Sequence, residues 1–126
     1  MREPGRALLC LITDRRRLSA RLGCDLAAVD EPLLAQVGAA AAAGVDLVLV
    51  REGDLPAAAL AQLTDRVLTR LRDRATRVLV NDRADVALAC RAHGVHLKAT
   101  SMAPRQVRQI APRGWLIGAS VHGADL

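Results

Sequence analysis

Phenylalanine and tyrosine are absent from this 126-residue chain, and Trp115 is its single aromatic residue. The core must therefore be built from Ala, Val, Leu and Ile. With 52% apolar residues there is enough material for one domain over residues 1–126, and intrinsic disorder is excluded. Lysine is almost missing too: of 18 basic residues, all but Lys98 are arginine. The net charge of +5 suits an anionic partner such as a phosphorylated small molecule. Nucleic acid is disfavoured, because the arginines are scattered outside the block Arg15, Arg16, Arg17 and no aromatic residues stand ready to stack on bases.

Other absences narrow the field further. The three cysteines, Cys10, Cys24 and Cys90, are an odd number without metal-ligand spacing. Cys10 and Cys90 stand in apolar segments and read as small core residues, which suits a reducing compartment. No stretch is long enough to span a bilayer. Arg2 and Arg6 precede the apolar residues 7–12, but that run is too short for a signal-peptide core and ends in charge, so a cytoplasmic location is expected. Neither G-x-G-x-x-G nor G-x-x-x-x-G-K-[ST] occurs, which removes the common glycine-rich phosphate loops. The histidines and carboxylates have no zinc spacing and form no Cys-His nucleophile pattern.

What is present is a βα rhythm. Residues 78–80 (Val-Leu-Val) read as a strand, residues 82–92 as a helix, and residues 95–97 (Val-His-Leu) as a further strand, with Gly94 as the left-handed stop between them. A βαβ unit implies a parallel sheet. The same rhythm places strands at 7–12, 45–50 and 115–119. Helices are expected from Glu31 to Gly44 behind an Asp30 N-cap, from an Asp54 cap with Pro56 in its first turn to about Asp73, and from Pro104 through Ile110. The stretch between the first strand and Asp30 reads as a polar loop. The joint Ala43-Gly44-Val45-Asp46-Leu47 is echoed by His93-Gly94-Val95-His96-Leu97, a repeated module that builds either a doubly wound sheet or a (β/α) barrel.

Chemistry in such folds sits at the carboxyl ends of the strands. Alternation puts Leu47, Leu49 and Arg51 on one face, as it does Leu79 with Asn81, His96 with Lys98, and Gly118 with Ser120 and His122. If these faces converge, Arg51, Asn81, Lys98, Ser120 and His122 ring one mouth of the sheet. Arginine offers a fork to phosphate, asparagine a donor and an acceptor to a heteroaromatic edge, serine a hydroxyl, and histidine a proton near neutral pH. Each has a plainer reading. Arg51 can pair with Glu52 or Asp54, Asn81-Asp82 can be a turn that caps the next helix, Lys98 can be a solvated surface residue, His122 a loop histidine, His96 a hydrogen-bonded core residue, and His93 a helix-terminal residue favoured by the dipole.

The ordered segments Leu11-Ile12-Thr13-Asp14, A-G-V-D-L-V-L-V-R-E, V-N-D-R-A-D-V-A-L-A, A-H-G-V-H-L and I-G-A-S-V-H resemble the thiamine phosphate synthase/TenI family over nearly the whole chain. The resemblance implies a TIM barrel, here as an α/β partial (β/α) barrel of about five parallel βα units. A whole (β/α)₈ barrel takes roughly 200–250 residues, so the chain is expected to stop before the last strands, leaving open sheet edges that favour self-association. The synthase branch joins a pyrimidine diphosphate to a thiazole phosphate with Mg²⁺, and the TenI branch includes a metal-free thiazole tautomerase. By position, the family's Q-x-R-x-K motif falls on Leu49, Arg51 and Gly53, keeping only the arginine. Its Asn-Asp pair falls on Asn81 and Asp82, which makes Asp82 the candidate Mg²⁺ ligand, while the second magnesium carboxylate falls on Ser101. Ser120 and His122 keep the S-x-H motif. The lost lysine and carboxylate favour the TenI-like branch, with His122 as acid/base and Arg51, Asn81, Lys98 and Ser120 holding the ligand. A catalytically inactive member, or a module that only binds a phosphorylated ligand, is the competing reading.

Overall fold

Five strands run parallel in sequence order, β1 (Cys10–Ile12), β2 (Leu47–Val50), β3 (Arg77–Asn81), β4 (Gly94–Leu97) and β5 (Leu116–Ala119). This is a computed structural model, and it describes residues 5–121. The strands alternate with α1 (Arg15–Leu22), α2 (Asp30–Ala42), α3 (Ala57–Arg70), α4 (Ala84–Cys90) and α5 (Pro104–Ile110), with one 3₁₀ turn at Leu26–Ala28. Sequential parallel order decides between the two architectures. Right-handed crossovers that always step in the same direction put every helix on one face of the sheet, as in a barrel wall; a doubly wound sheet must reverse its order.

Burial follows that geometry. Val48, Val50, Val78, Val80, Val95 and Leu97 alternate onto the helix side, where they pack with Leu33, Val37, Leu60, Leu63, Val67 and Val107. On the other face the register lines up Cys10 with Leu47, Ile12 with Leu49, Asn81 with His96, and His96 with Gly118. Here Cys10 and Ile12 are exposed, so Cys10 is no core residue despite its apolar neighbours. Cys90, the last residue of α4, is half-buried, and burial beside Asp65 pushes its thiol up to about 11.

Several expected boundaries shift for identifiable reasons. The polar stretch after β1 is helix α1. The Asp14 carboxylate accepts the Arg17 N–H at 3.0 Å, and the helix stops at Gly23. Asp30 is the first residue of α2 instead of its cap, and its carboxylate turns to Arg15 and Arg66. Pro56, not Asp54, precedes α3, since Asp54 is drawn to Arg15 and Arg16. Helix α4 is shorter than residues 82–92, because Asp82 lies at φ +68° and the left-handed residue at its far end is Arg91.

Gly94 is accordingly not the helix stop. It begins β4 opposite Leu116, and a Cβ there would lie 1.9 Å from the Leu116 carbonyl oxygen. Gly44, its counterpart in the repeated joint, does have φ +96°. His93 is no dipole-stabilised helix end either: its Nδ1 accepts the Val78 N–H at 2.9 Å, and burial, helped by Arg77, pushes its pKa down. Trp115 closes the bottom of the sheet by donating from Nε1 to the Ala92 carbonyl at 2.8 Å.

One glycine has no such duty. Gly38 lies inside α2, and an added Cβ would meet only the flexible Arg70 side chain at 3.7 Å. Gly38→Ala is therefore expected to stabilise the chain by about 0.5–1 kcal/mol, by lowering the backbone entropy of the unfolded state. A urea melt with an unchanged slope and a higher midpoint is the expected observation.

Candidate functional site

The ends of β1 and β2 are tied together by Thr13, which is 1% exposed. Its N–H donates to the Leu49 carbonyl and its hydroxyl oxygen accepts the Arg51 N–H, both at 3.0 Å. That fixes the backbone from which the Arg51 side chain projects. Next to it the Glu52 carboxylate accepts the Arg15 N–H with both oxygens, at 3.1 and 3.2 Å. The Arg15 guanidinium lies 3.2 Å from Asp54, 3.6 Å from Asp30 and 3.9 Å from Glu52. Burial pushes the Glu52 carboxyl up, against the lowering effects of the Thr13 hydroxyl and of Arg15. Helix α1 is thus clamped over the strand ends by an ionic cluster centred on buried Arg15 and Glu52.

Between α1 and the strand ends lies a cleft of about 590 Å³. Arg51, Asn81 and Lys98, from three successive strand ends, line it together, as alternation anticipated. So do Arg16, Arg17 and Arg21 of α1. Asp14, Glu52 and Asp54 supply the negative charge of the lining, but the last two are committed to Arg15. Among the described residues, the Arg17, Arg21 and Arg51 side chains form no ion pair. Arg51 pairs with neither Glu52 nor Asp54, so its fork faces the cleft unclaimed. The signal for α1 was available in the N-cap Asp14 and the glycine eight residues after Arg15. The arginine triplet masked it.

Asp82 stands beside the cleft and caps no helix amide. Its carboxylate accepts from the Ser101 hydroxyl at 2.5 Å and lies 3.3 Å from the Lys98 ammonium. The Ser101 hydroxyl, then Lys98, hold its pKa below the ordinary carboxylate value. A lowered folded-state pKa contributes stability that is present above the unfolded carboxyl value and lost as pH falls through the folded one. Ser101→Ala is therefore expected to move the Asp82 midpoint up toward the ordinary value and to shrink that acid-side dependence. Carboxyl-carbon NMR titration of both proteins measures it; an unmoved midpoint would remove Ser101 from the account.

Ser120 stands apart from this group. Its hydroxyl is 3.0 Å from His96 Nε2, and it is not part of the cleft lining. The His96 ring lies across Gly118, where a Cβ would be 2.6 Å from Nδ1, so the glycine makes room for a histidine that orients the serine. Sequence reading had His96 as a core residue and missed this pairing, although strand alternation had placed Gly118 and Ser120 on one face. His122 lies outside the described residues.

Magnesium makes a demanding test of this donor set. It takes near-octahedral oxygen ligands, usually one or two carboxylates plus substrate phosphates. Among the described residues no group of three or more His, Cys, Asp or Glu side chains is placed to hold a metal ion. Asp82 is one carboxylate with a hydroxyl on one oxygen and an ammonium on the other, and Ser101 stands where a second carboxylate was expected. At Asp82 a resident Mg²⁺ would find one carboxylate, with both oxygens already engaged by Ser101 and Lys98.

Comparison with known proteins bears on the whole arrangement. Residues 9–126 match the family model described as thiamine monophosphate synthase. The chain is 45% identical over 116 residues to a putative thiamine-phosphate synthase of Geobacter sulfurreducens, covering 91% of this chain and 49% of that protein. It is 40% identical over 117 residues to the thiamine-phosphate synthase of Solidesulfovibrio magneticus, covering 93% and 51%. Among solved structures, thiamine phosphate pyrophosphorylase from Pyrococcus furiosus superposes with a TM-score of 0.72 at 31% identity, over 90% of this chain and 50% of that one. The chain spans about half the length of the curated relatives it matches. No helix among the described residues is long and apolar enough to cross a membrane.

Proposed function

The chain belongs to the thiamine monophosphate synthase/TenI family, and from that premise we propose that its strand-end cleft binds a phosphorylated thiazole or pyrimidine ligand. The observation that carries this reading is the unpaired Arg51 guanidinium beside Asn81 and Lys98 at the carboxyl ends of three parallel strands. A guanidinium fork grips a phosphate through two parallel N–H donors, and the lysine adds a point charge. Asn81 can both donate to and accept from the edge of a heterocycle. Arg17 and Arg21 add positive field at the rim and raise the local concentration of an anionic ligand.

The catalytic part of the reading assigns His122 a proton-transfer role, in a tautomerase-like reaction, with Ser120 and Asn81 supporting a condensation in the alternative. Ser120 would act with a hydroxyl already oriented by His96. Arg51→Ala is expected to weaken calorimetric binding of a thiazole phosphate by roughly 10–100-fold, the loss of a charge-assisted hydrogen-bond pair. Unchanged affinity in that variant would sink the assignment of the cleft. Turnover by the chain that survives His122→Ala undiminished would remove the proton-transfer role, and binding without any turnover would favour a ligand-binding module.

A further inference from the structure

We propose that the Lys98 ammonium stands in for a divalent cation beside Asp82, so that this cleft takes up phosphate without metal. The inference rests on the reading of the cleft as a phosphate site. Its basis is a closed set of contacts among three residues, through both backbone and side chain. The Lys98 N–H donates to Ser101 Oγ at 2.9 Å, and the Ser101 hydroxyl donates to Asp82 Oδ1 at 2.5 Å. The Lys98 ammonium lies 3.3 Å from Asp82 Oδ2, and the Ser101 N–H returns to the Lys98 carbonyl at 3.1 Å. Both oxygens of the carboxylate are therefore engaged, one by a hydroxyl and one by a positive charge.

The backbone holds this set in place. Asp82 sits at φ +68°, in the left-handed region that aspartate tolerates better than most residues. Its N–H donates to the His96 carbonyl at 2.7 Å, which locks the end of β3 to β4. A metal ion entering here would meet an ammonium across the carboxylate, and among the described residues no group of three or more His, Cys, Asp or Glu side chains is placed to hold it. The ion would have to displace Lys98 from Asp82 against like-charge repulsion. The lysine is half-exposed and lines the cleft. An ammonium has three donors, so one can stay on Asp82 while the others reach a phosphate oxygen. The cation thus stays tethered to the protein and is supplied with the fold.

The test uses the full chain and inorganic phosphate, titrated calorimetrically at fixed ionic strength in EDTA and in millimolar MgCl₂. The expected result is that affinities in the two buffers agree within about twofold. Lys98→Ala should lose about tenfold in EDTA, the loss of one charge-assisted contact, and recover part of it in MgCl₂, because Asp82 is then open to the ion. Lys98→Arg should keep metal-free binding within a few-fold of that value, and circular dichroism should show both variants folded. Titrating Mn²⁺ alone, followed by electron paramagnetic resonance, should leave the ion free in the native chain. Phosphate binding that is about tenfold tighter with Mg²⁺ overturns the inference while leaving the phosphate site intact. So does a Lys98→Ala variant that binds normally in EDTA or that MgCl₂ does not rescue, and so does stoichiometric Mn²⁺ binding abolished by Asp82→Asn. Absence of phosphate binding in every buffer overturns both the inference and the reading of the cleft.

Discussion

Gly94→Ala is expected to destabilise the chain by at least about 3 kcal/mol, out of the 5–15 kcal/mol typical of a domain, and to lower its midpoint temperature by roughly 10 °C or more. The added methyl would fall 1.9 Å from the Leu116 carbonyl oxygen, 2.7 Å from its carbonyl carbon and 2.9 Å from its Cα. All three are backbone atoms of the neighbouring strand, so no rotamer change makes room. The chain can respond only by parting β4 from β5, and those strands are joined through Gly94, Val95, His96 and Leu97. The loss should spread to the His96–Ser120 pair, which spans the same two strands. Thermal unfolding by circular dichroism measures the effect, with Gly38→Ala as the control that adds the same methyl where there is space. A Gly94→Ala variant as stable as the native chain would mean that β5 is not paired in the register described here.

That glycine also marks the limit of what sequence could tell. The repeated joint made Gly94 look like Gly44, and a glycine after a helix is most often its left-handed stop. Only the pairing partner, Leu116, distant in sequence, reveals that the residue serves strand approach instead. The parallel sheet was legible because Val48, Val78, Val80 and Val95 sit in short β-branched runs between amphipathic helices. Alternation also brought Arg51, Asn81 and Lys98 to one cleft. It did not reveal Ser101 as the partner of Asp82, because the contact crosses two loops whose geometry no periodicity encodes. Helix α1 was lost for a different reason: three consecutive arginines give no apolar stripe, and what orders the helix is its N-cap together with the buried side of Arg15.

Arg15 is the residue on which the second large effect falls. Arg15→Met keeps most of the volume and removes the charge, leaving Glu52, Asp54 and Asp30 facing one another around a site where Arg15 is only 8% exposed and Glu52 only 3%. Removing the cation from a buried pair costs about 3–5 kcal/mol, and the loss falls on Glu52, since Asp54 and Asp30 are more exposed and keep Arg16 and Arg66. The pH dependence identifies the cause. Burial already holds the Glu52 pKa above its ordinary value, so between the unfolded and folded values the folded chain binds the extra proton, and stability falls as pH rises through that window. Without Arg15 the folded value moves higher still. The window widens, and the deficit against the native chain should be near its full size at neutral pH and shrink as Glu52 is protonated in acid. Urea melts at neutral and mildly acidic pH measure it, and a deficit of equal size at both would assign the loss to packing instead of charge. The variant should also bind phosphate more weakly than the lost stability alone explains, since α1 carries Arg16, Arg17 and Arg21 into the cleft and Arg15 is what fastens that helix to the strand ends.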